Sequence, residues 1–247
     1  MAAKTALVTG ANRGSGLELA RQLADKGYTV YAGMREPERS GELDALSGEA
    51  GLPITPVRLE VTNEDDIRAV VERIGSDAGR LDLLINNAAT FAHDEEGVLQ
   101  TRADEMLRVL AVNSIAPVIV ARHFVPLLEK TAAEGDLPMV ATVSSGAALL
   151  RRELPDPGSQ YSYHASKAAL NVYLMRLAAD LREKRIVSIG LSPGFVLTDM
   201  TRAADLSPTL LPPESAAGQI RVLERCTLED AGRFFNYTGE ELDWFVG

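Results

Sequence analysis

The chain has 247 residues, 46% hydrophobic and 24% charged, the balance of a globular α/β chain whose length suits one domain with a large core. A formal net charge of −10 argues against nucleic acid or an anionic membrane as partner. The single cysteine, Cys226, rules out an internal disulfide and fits a reducing cytoplasm.

The apolar run Thr5-Ala6-Leu7-Val8 predicts a buried strand over Thr5–Thr9, which leaves no room for a signal peptide. Thr9-Gly10-Ala11-Asn12-Arg13-Gly14-Ser15-Gly16 follows, and a helix is predicted over Gly14–Lys26. Strand, glycine turn and helix start together form an anion site, where free backbone N–H groups and the positive helix end face a pyrophosphate. An ordinary tight turn uses the same glycines, but the strand before and the helix after favour dinucleotide binding. Further strands are predicted at Tyr28–Gly33, Ile54–Leu59, Leu81–Ile85, Met139–Val143, Val187–Leu191 and Arg233–Asn236. Helices are predicted at Gly41–Leu46, Glu64–Asp77, Ala103–Glu129, Ser159–Arg182 and Pro213–Arg225. No run of 18 apolar residues is found, so no membrane span is expected. This alternation predicts a single domain, residues 1–247: a Rossmann-like doubly wound sheet, mostly parallel, of about seven strands with helices on both faces. Ligands bind such sheets beyond the carboxyl ends of the strands, where Gly10, Ala88, Ser145 and Pro193 all fall.

Tyr163 and Lys167 lie four apart, on one face of the predicted helix. A phenol titrates near ~10, and an ammonium beside it favours the phenolate and brings proton transfer within reach. Tyr161 has no lysine four residues on and is read as packing or pocket wall. Pro117 stands four residues after Asn113, cannot bond its carbonyl, and should kink the helix there, freeing that carbonyl to hold a water that relays protons from Lys167. Leu174 and Met175 are read as core, and the acidic triples 64–66 and 94–96 as solvated. His93, His123 and His164 form no cluster, so no metal is expected.

With these motifs in this order, the chain resembles the short-chain dehydrogenase/reductase family over nearly its whole length. Thr9 to Gly16 match TGxxxGxG, Asn86-Asn87-Ala88-Ala89 match NNAG with Ala in the last place, and Tyr163/Lys167 match YxxxK. Asn113, Ser144-Ser145 and Ser192-Pro193-Gly194 with Thr198 complete the set, and the stretch 232–244 resembles the C-factor-like and carbonyl-reductase-like branch. The resemblance implies Tyr163 as general acid, Lys167 orienting it and holding the nicotinamide ribose, Ser145 on the substrate oxygen with Ser144 as alternative, and Asn113 completing the set. It implies cofactor contacts from Gly10, Asn12, Arg13, Gly14, Ser15, Gly16, Arg35, Glu60, Val61, Asn87, Ala88, Tyr163, Lys167, Pro193, Gly194, Val196 and Thr198. Two positions depart from the pattern: Glu60 stands where Asp usually meets the adenine edge, and Ala89 adds a methyl beside the cofactor.

The expected activity is reduction of a ketone or aldehyde by NADPH, with a small-molecule carbonyl substrate. The alternatives are a nucleotide-bound signalling or regulatory protein of low turnover and an NAD-dependent alcohol dehydrogenase. NADPH is preferred because the second strand ends in Met34-Arg35 without a carboxylate, and Arg35 and Arg13 flank the expected 2′-phosphate. Substrate walls are expected at 90–97, 147–162 and 195–211, with residues 149–158 bulging over the mouth. Arg151 and Arg152 are read as plain surface, or as a greeting for an anionic substrate. Pairing of the two long helices into a homo-oligomer, dimer or tetramer, is expected from the resemblance.

Overall fold

The computed structural model describes residues 3–39, 41–48, 51–92, 97–149, 161–203 and 208–244. In chain order the elements are β1 (Thr5–Thr9), α1 (Gly14–Asp25), β2 (Thr29–Met34), α2 (Gly41–Gly48), β3 (Ile54–Arg58), α3 (Glu64–Asp77) and β4 (Leu83–Asn86). Then come α4 (Ala103–Leu110), α5 (Ala116–Ala133), β5 (Met139–Val143), α6 (Tyr161–Arg182), β6 (Val187–Ser192), α7 (Asp199–Ala203), α8 (Pro212–Arg225) and β7 (Phe234–Asn236). The strands form one seven-stranded sheet in the order β3-β2-β1-β4-β5-β6-β7, every neighbouring pair parallel. The expected architecture stands, with no antiparallel strand in the described sheet.

Every residue of β1 is buried, as a parallel strand covered on both faces must be. Its side chains alternate between two cores. Ala6 and Val8 join Leu19, Leu23, Ile189 and Ile220 on the face covered by α1 and α8. Leu7 joins Ile67, Phe124, Leu128 and Leu181 on the face covered by α3, α5 and α6. Strand order reverses between β1 and β4, so a crevice opens where the glycine turn and the Asn87 segment leave the sheet. At the opposite end Arg80 pairs with Asp82, Glu134 and Asp136, while Asp82 Oδ2 accepts the Thr5 N–H at 2.8 Å.

The long helix differs most from expectation. Ala111–Ile115 forms a π turn between α4 and α5, in which the Ala116 N–H bonds the carbonyl of Ala111, five residues back. Pro117 then falls in the first turn of α5, where a missing N–H costs little. The helix therefore widens in the turn ahead of the proline. By length and composition alone, Ala103–Ala133 could cross a membrane, which the search for apolar runs did not pick out. In the fold it lies against the sheet, with Pro117, Val120, Phe124 and Leu128 buried. α7 is a further addition, inside a stretch expected to be substrate wall. Met175, expected in the core, is exposed, while Leu174 is buried. Asp66 is not simply solvated either, since its Oδ2 accepts the Glu60 N–H at 2.9 Å.

Candidate active site

The glycine turn is built by close approach. Gly10 has φ 65°, and a Cβ on it would lie 2.9 Å from Ala88 Cα. A Cβ on Gly16 would lie 2.2 Å from the Gly10 carbonyl oxygen and 2.5 Å from Asn87 Nδ2, so only glycine lets α1 start this close to β1. Asn87 Nδ2 donates to the carbonyls of Thr9 (3.0 Å) and Gly10 (3.2 Å), and Thr9 Oγ1 accepts the N–H groups of Asn87 and Ala88 at 3.0 Å. These bonds stitch the two sides of the switch point together. α1 begins with no side-chain cap and no acidic residue in its first turn, leaving its N–H groups for an anion. A glycine cradle under an uncapped helix start fits the pyrophosphate of a dinucleotide.

The arginines expected at the ribose part ways. Arg35 is exposed just after β2 and makes no ion pair among the described residues. Arg13 Nη1 instead pairs with Asp199 Oδ2 at 3.0 Å, across the mouth of the crevice. Glu60 Oε1 accepts the Thr62 hydroxyl at 3.1 Å, which engages its carboxylate within its own turn. Val61 is buried and, with Thr9, Ala88 and Val112, lines a narrow space beneath the crevice.

The Tyr–Lys pair sits in the first two turns of α6, against the end of β5. Tyr163 is half-buried; burial raises its pKa above the usual 10, and a hydrogen bond with the Ser145 side chain opposes that rise. Lys167 is 2% exposed, donates from Nζ to the Val143 carbonyl at 2.8 Å, and lies 5.8 Å from the centre of the Tyr163 ring. Burial lowers its pKa from 10.5 to about 8. Thus the downward pull expected of Lys167 on the phenol does not govern Tyr163 here; burial outweighs everything else.

Two adjacent serines are now distinguished. Ser144 Oγ donates to Asn171 Oδ1 at 2.6 Å, both residues being buried, whereas Ser145 faces Tyr163. Asn113 is fully buried and its side chain is tied on both ends: Oδ1 accepts the Thr90 N–H at 2.8 Å, and Nδ2 donates to the Thr90 carbonyl (2.8 Å) and Ser166 Oγ (3.0 Å). Ser166 Oγ donates in turn to the Tyr163 carbonyl at 2.7 Å, and Ser114 Oγ to the Ser166 carbonyl at 2.7 Å. Sequence reasoning missed Ser114 and Ser166; their only signal is a small polar residue on an inward helix face beside a catalytic one.

On the far side Gly194 has φ 80°, and Val196 is buried and bridges to Leu210. Thr198 accompanies them: its N–H bonds Thr201 Oγ1 at 2.9 Å, and a Cβ on Gly14 would lie 3.4 Å from its Cγ2. The structure therefore brings Gly10 to Gly16, Asn87, Ala88, Ser145, Tyr163, Lys167 and the Pro193–Thr198 segment around one crevice. His93, Arg151 and Arg152 lie outside the described residues, as do parts of all three expected substrate walls, including residues 150–158 of the expected bulge.

A switch-point crevice bordered by a glycine cradle and a Ser–Tyr–Lys cluster defines a Rossmann-like oxidoreductase that takes a nicotinamide dinucleotide. Residues 4–208 match the short chain dehydrogenase family, and the chain belongs to it. The NADPH-bound carbonyl reductase from chicken fatty liver superposes with a TM-score of 0.90 at 32% identity, covering 99% of this chain and 100% of that one. The short chain dehydrogenase gsfK of Penicillium aethiopicum is 31% identical, across 97% of this chain and 99% of its own length. C-signal of Myxococcus xanthus is 35% identical over 170 residues, 67% of this chain and 94% of its own.

Proposed function

We propose that the protein is an NADPH-dependent carbonyl reductase that converts a ketone or aldehyde to an alcohol. The observation that carries this reading is Tyr163 and Lys167 on successive turns of α6, Lys167 buried and 5.8 Å from the centre of the Tyr163 ring, beside Ser145 just after β5 in the crevice that the glycine turn opens. When bound, the dinucleotide supplies a hydride to the carbonyl carbon. Tyr163 holds a proton at Oη and delivers it to the substrate oxygen, which the Ser145 hydroxyl orients. The Lys167 ammonium favours the phenolate left behind and offers a donor for the nicotinamide ribose. Asn113 and Ser166 keep the Tyr163–Lys167 turn in place against the Thr90 loop. Raised by burial, Tyr163 stays protonated at neutral pH, which suits an acid in the reductive direction.

Preference for NADPH rests on Arg35, a cation with no ion pair among the described residues just after β2. A hydrogen bond to a charged group contributes ~1.5–3 kcal/mol, and solvent screening lowers this at an exposed site. The likeness to an NADPH-bound carbonyl reductase supports the same choice, and the match to C-signal favours a second reading, a nucleotide-bound signalling protein of low turnover. A panel of ketones and aldehydes, followed by loss of NADPH absorbance, separates the two. Turnover that disappears in Tyr163→Phe supports the reductase; binding without turnover on any carbonyl sinks it.

A further inference from the structure

Residues 192–198 join β6 to α7 and, on the reading just given, pass beside the nicotinamide. What grips them comes from beyond residue 208, where the family match ends. Ser215, in the first turn of α8, is fully buried, as is Gln219 one turn further on. Ser215 Oγ lies 2.6 Å from the Pro193 carbonyl oxygen and 3.1 Å from Gln219 Nε2. The proton positions are forced. A carbonyl oxygen can only accept, so Ser215 donates to Pro193, and its own oxygen accepts from the Gln219 amide.

The neighbouring residues are held from the same side. The Tyr237 N–H donates to the Ser192 carbonyl at 2.8 Å. A Cβ on Gly194 would lie 2.7 Å from both Leu210 Cδ2 and Tyr237 Cε1, and one on Gly218 would lie 2.4 Å from the Tyr237 carbonyl oxygen. In a trans peptide the C=O and the following N–H point in opposite directions. Drawing the Pro193 carbonyl toward α8 therefore turns the Gly194 N–H away from it, and that N–H donates no hydrogen bond among the described residues.

We infer that Ser215, oriented by Gln219, is a positioning residue for the nicotinamide: it sets the plane of the Pro193–Gly194 peptide and so fixes the segment against which the ring is held. The inference rests on the NADPH reading. Its test compares the full-length protein with Ser215→Ala and Gln219→Met in calorimetric titrations with NADPH and with adenosine 2′,5′-bisphosphate, which lacks the nicotinamide half. Ser215→Ala should weaken NADPH about 5–20-fold, the worth of one buried hydrogen bond, and leave the bisphosphate within about twofold. The primary isotope effect on kcat with 4-deuterated NADPH should rise, because a loosened ring makes hydride transfer slower than release. Gln219→Met should shift both readouts in the same direction by less, with thermal melting confirming that both variants are folded. Equal loss of the two ligands, or loss of neither, overturns the inference. If the unsubstituted protein binds neither ligand, the NADPH reading itself falls and takes this inference with it.

Discussion

At Tyr163 burial and the Ser145 hydrogen bond pull in opposite directions, and burial prevails. The consequence for pH can be worked out. Reduction needs the protonated phenol and the Lys167 ammonium, so its rate should stay level through neutral pH and begin to fall near 8, where Lys167 loses its proton, before the phenol titrates. Alcohol oxidation needs the phenolate and should climb about tenfold per pH unit over the same range. Profiles of kcat/KM in both directions check this; a reductive midpoint near 7 would show that another group is the acid. Asp199 is a second lever, because it pairs with Arg13 and competes with any anion for that guanidinium. The pair is exposed and worth ~0.2–1 kcal/mol, so Asp199→Asn should tighten NADPH by at most about fivefold and leave NADH unchanged. Equal gains for both cofactors would put Arg13 elsewhere than at the 2′-phosphate. Tyr163 and Lys167 could be read from sequence because their spacing has a chemical meaning. Ser114, Ser166 and the Arg13–Asp199 pair could not, because each partner lies far along the chain and only the fold brings them together.

Among the elements, the start of α1 depends on one missing carbon. Gly16→Ala would place a methyl 2.2 Å from the Gly10 carbonyl, so the helix start or the turn must move. Overpacking of this kind costs about 1–3 kcal/mol, and NADPH binding should be lost along with it. Gly41→Ala, where a Cβ meets nothing within 4 Å, is the control and should leave binding unchanged. If Gly16→Ala bound NADPH normally, the cradle would not be the pyrophosphate site. Strand positions were readable because buried parallel strands are short apolar runs between turns, and all seven appear within one or two residues at either end. The π turn was not readable. Pro117 signals only that a bond is lost at its own nitrogen, whereas packing against α6 through Asn113 and Ser114 accompanies the wider turn one step earlier.

Over the whole molecule, the long helices that cover one face of the sheet leave apolar side chains uncovered. Val120 and Leu170 are core, whereas Leu107, Ile115, Val172, Tyr173 and Met175 on the α4, π-turn and α6 surface are exposed. We predict two-fold pairing through this surface. Sedimentation should give about twice the 26.6 kDa of the chain, and Val172→Glu with Met175→Glu should return it to that value. A single-chain species of the unsubstituted protein at micromolar concentration would exclude the pairing. The central claim concerns hydride and proton delivery at one crevice, and label transfer tests it most directly. Stereospecifically 4-deuterated NADPH is incubated with the carbonyl panel, and deuterium is measured at the carbinol carbon of any alcohol formed. From one of the two 4-deuterated epimers, and not from the other, one deuterium per NADPH consumed is predicted for the unsubstituted protein, with the rate falling ~10²–10⁴-fold in Tyr163→Phe while NADPH still binds. Transfer that proceeds unchanged in Tyr163→Phe, or NADPH bound and never consumed with any carbonyl, would contradict it.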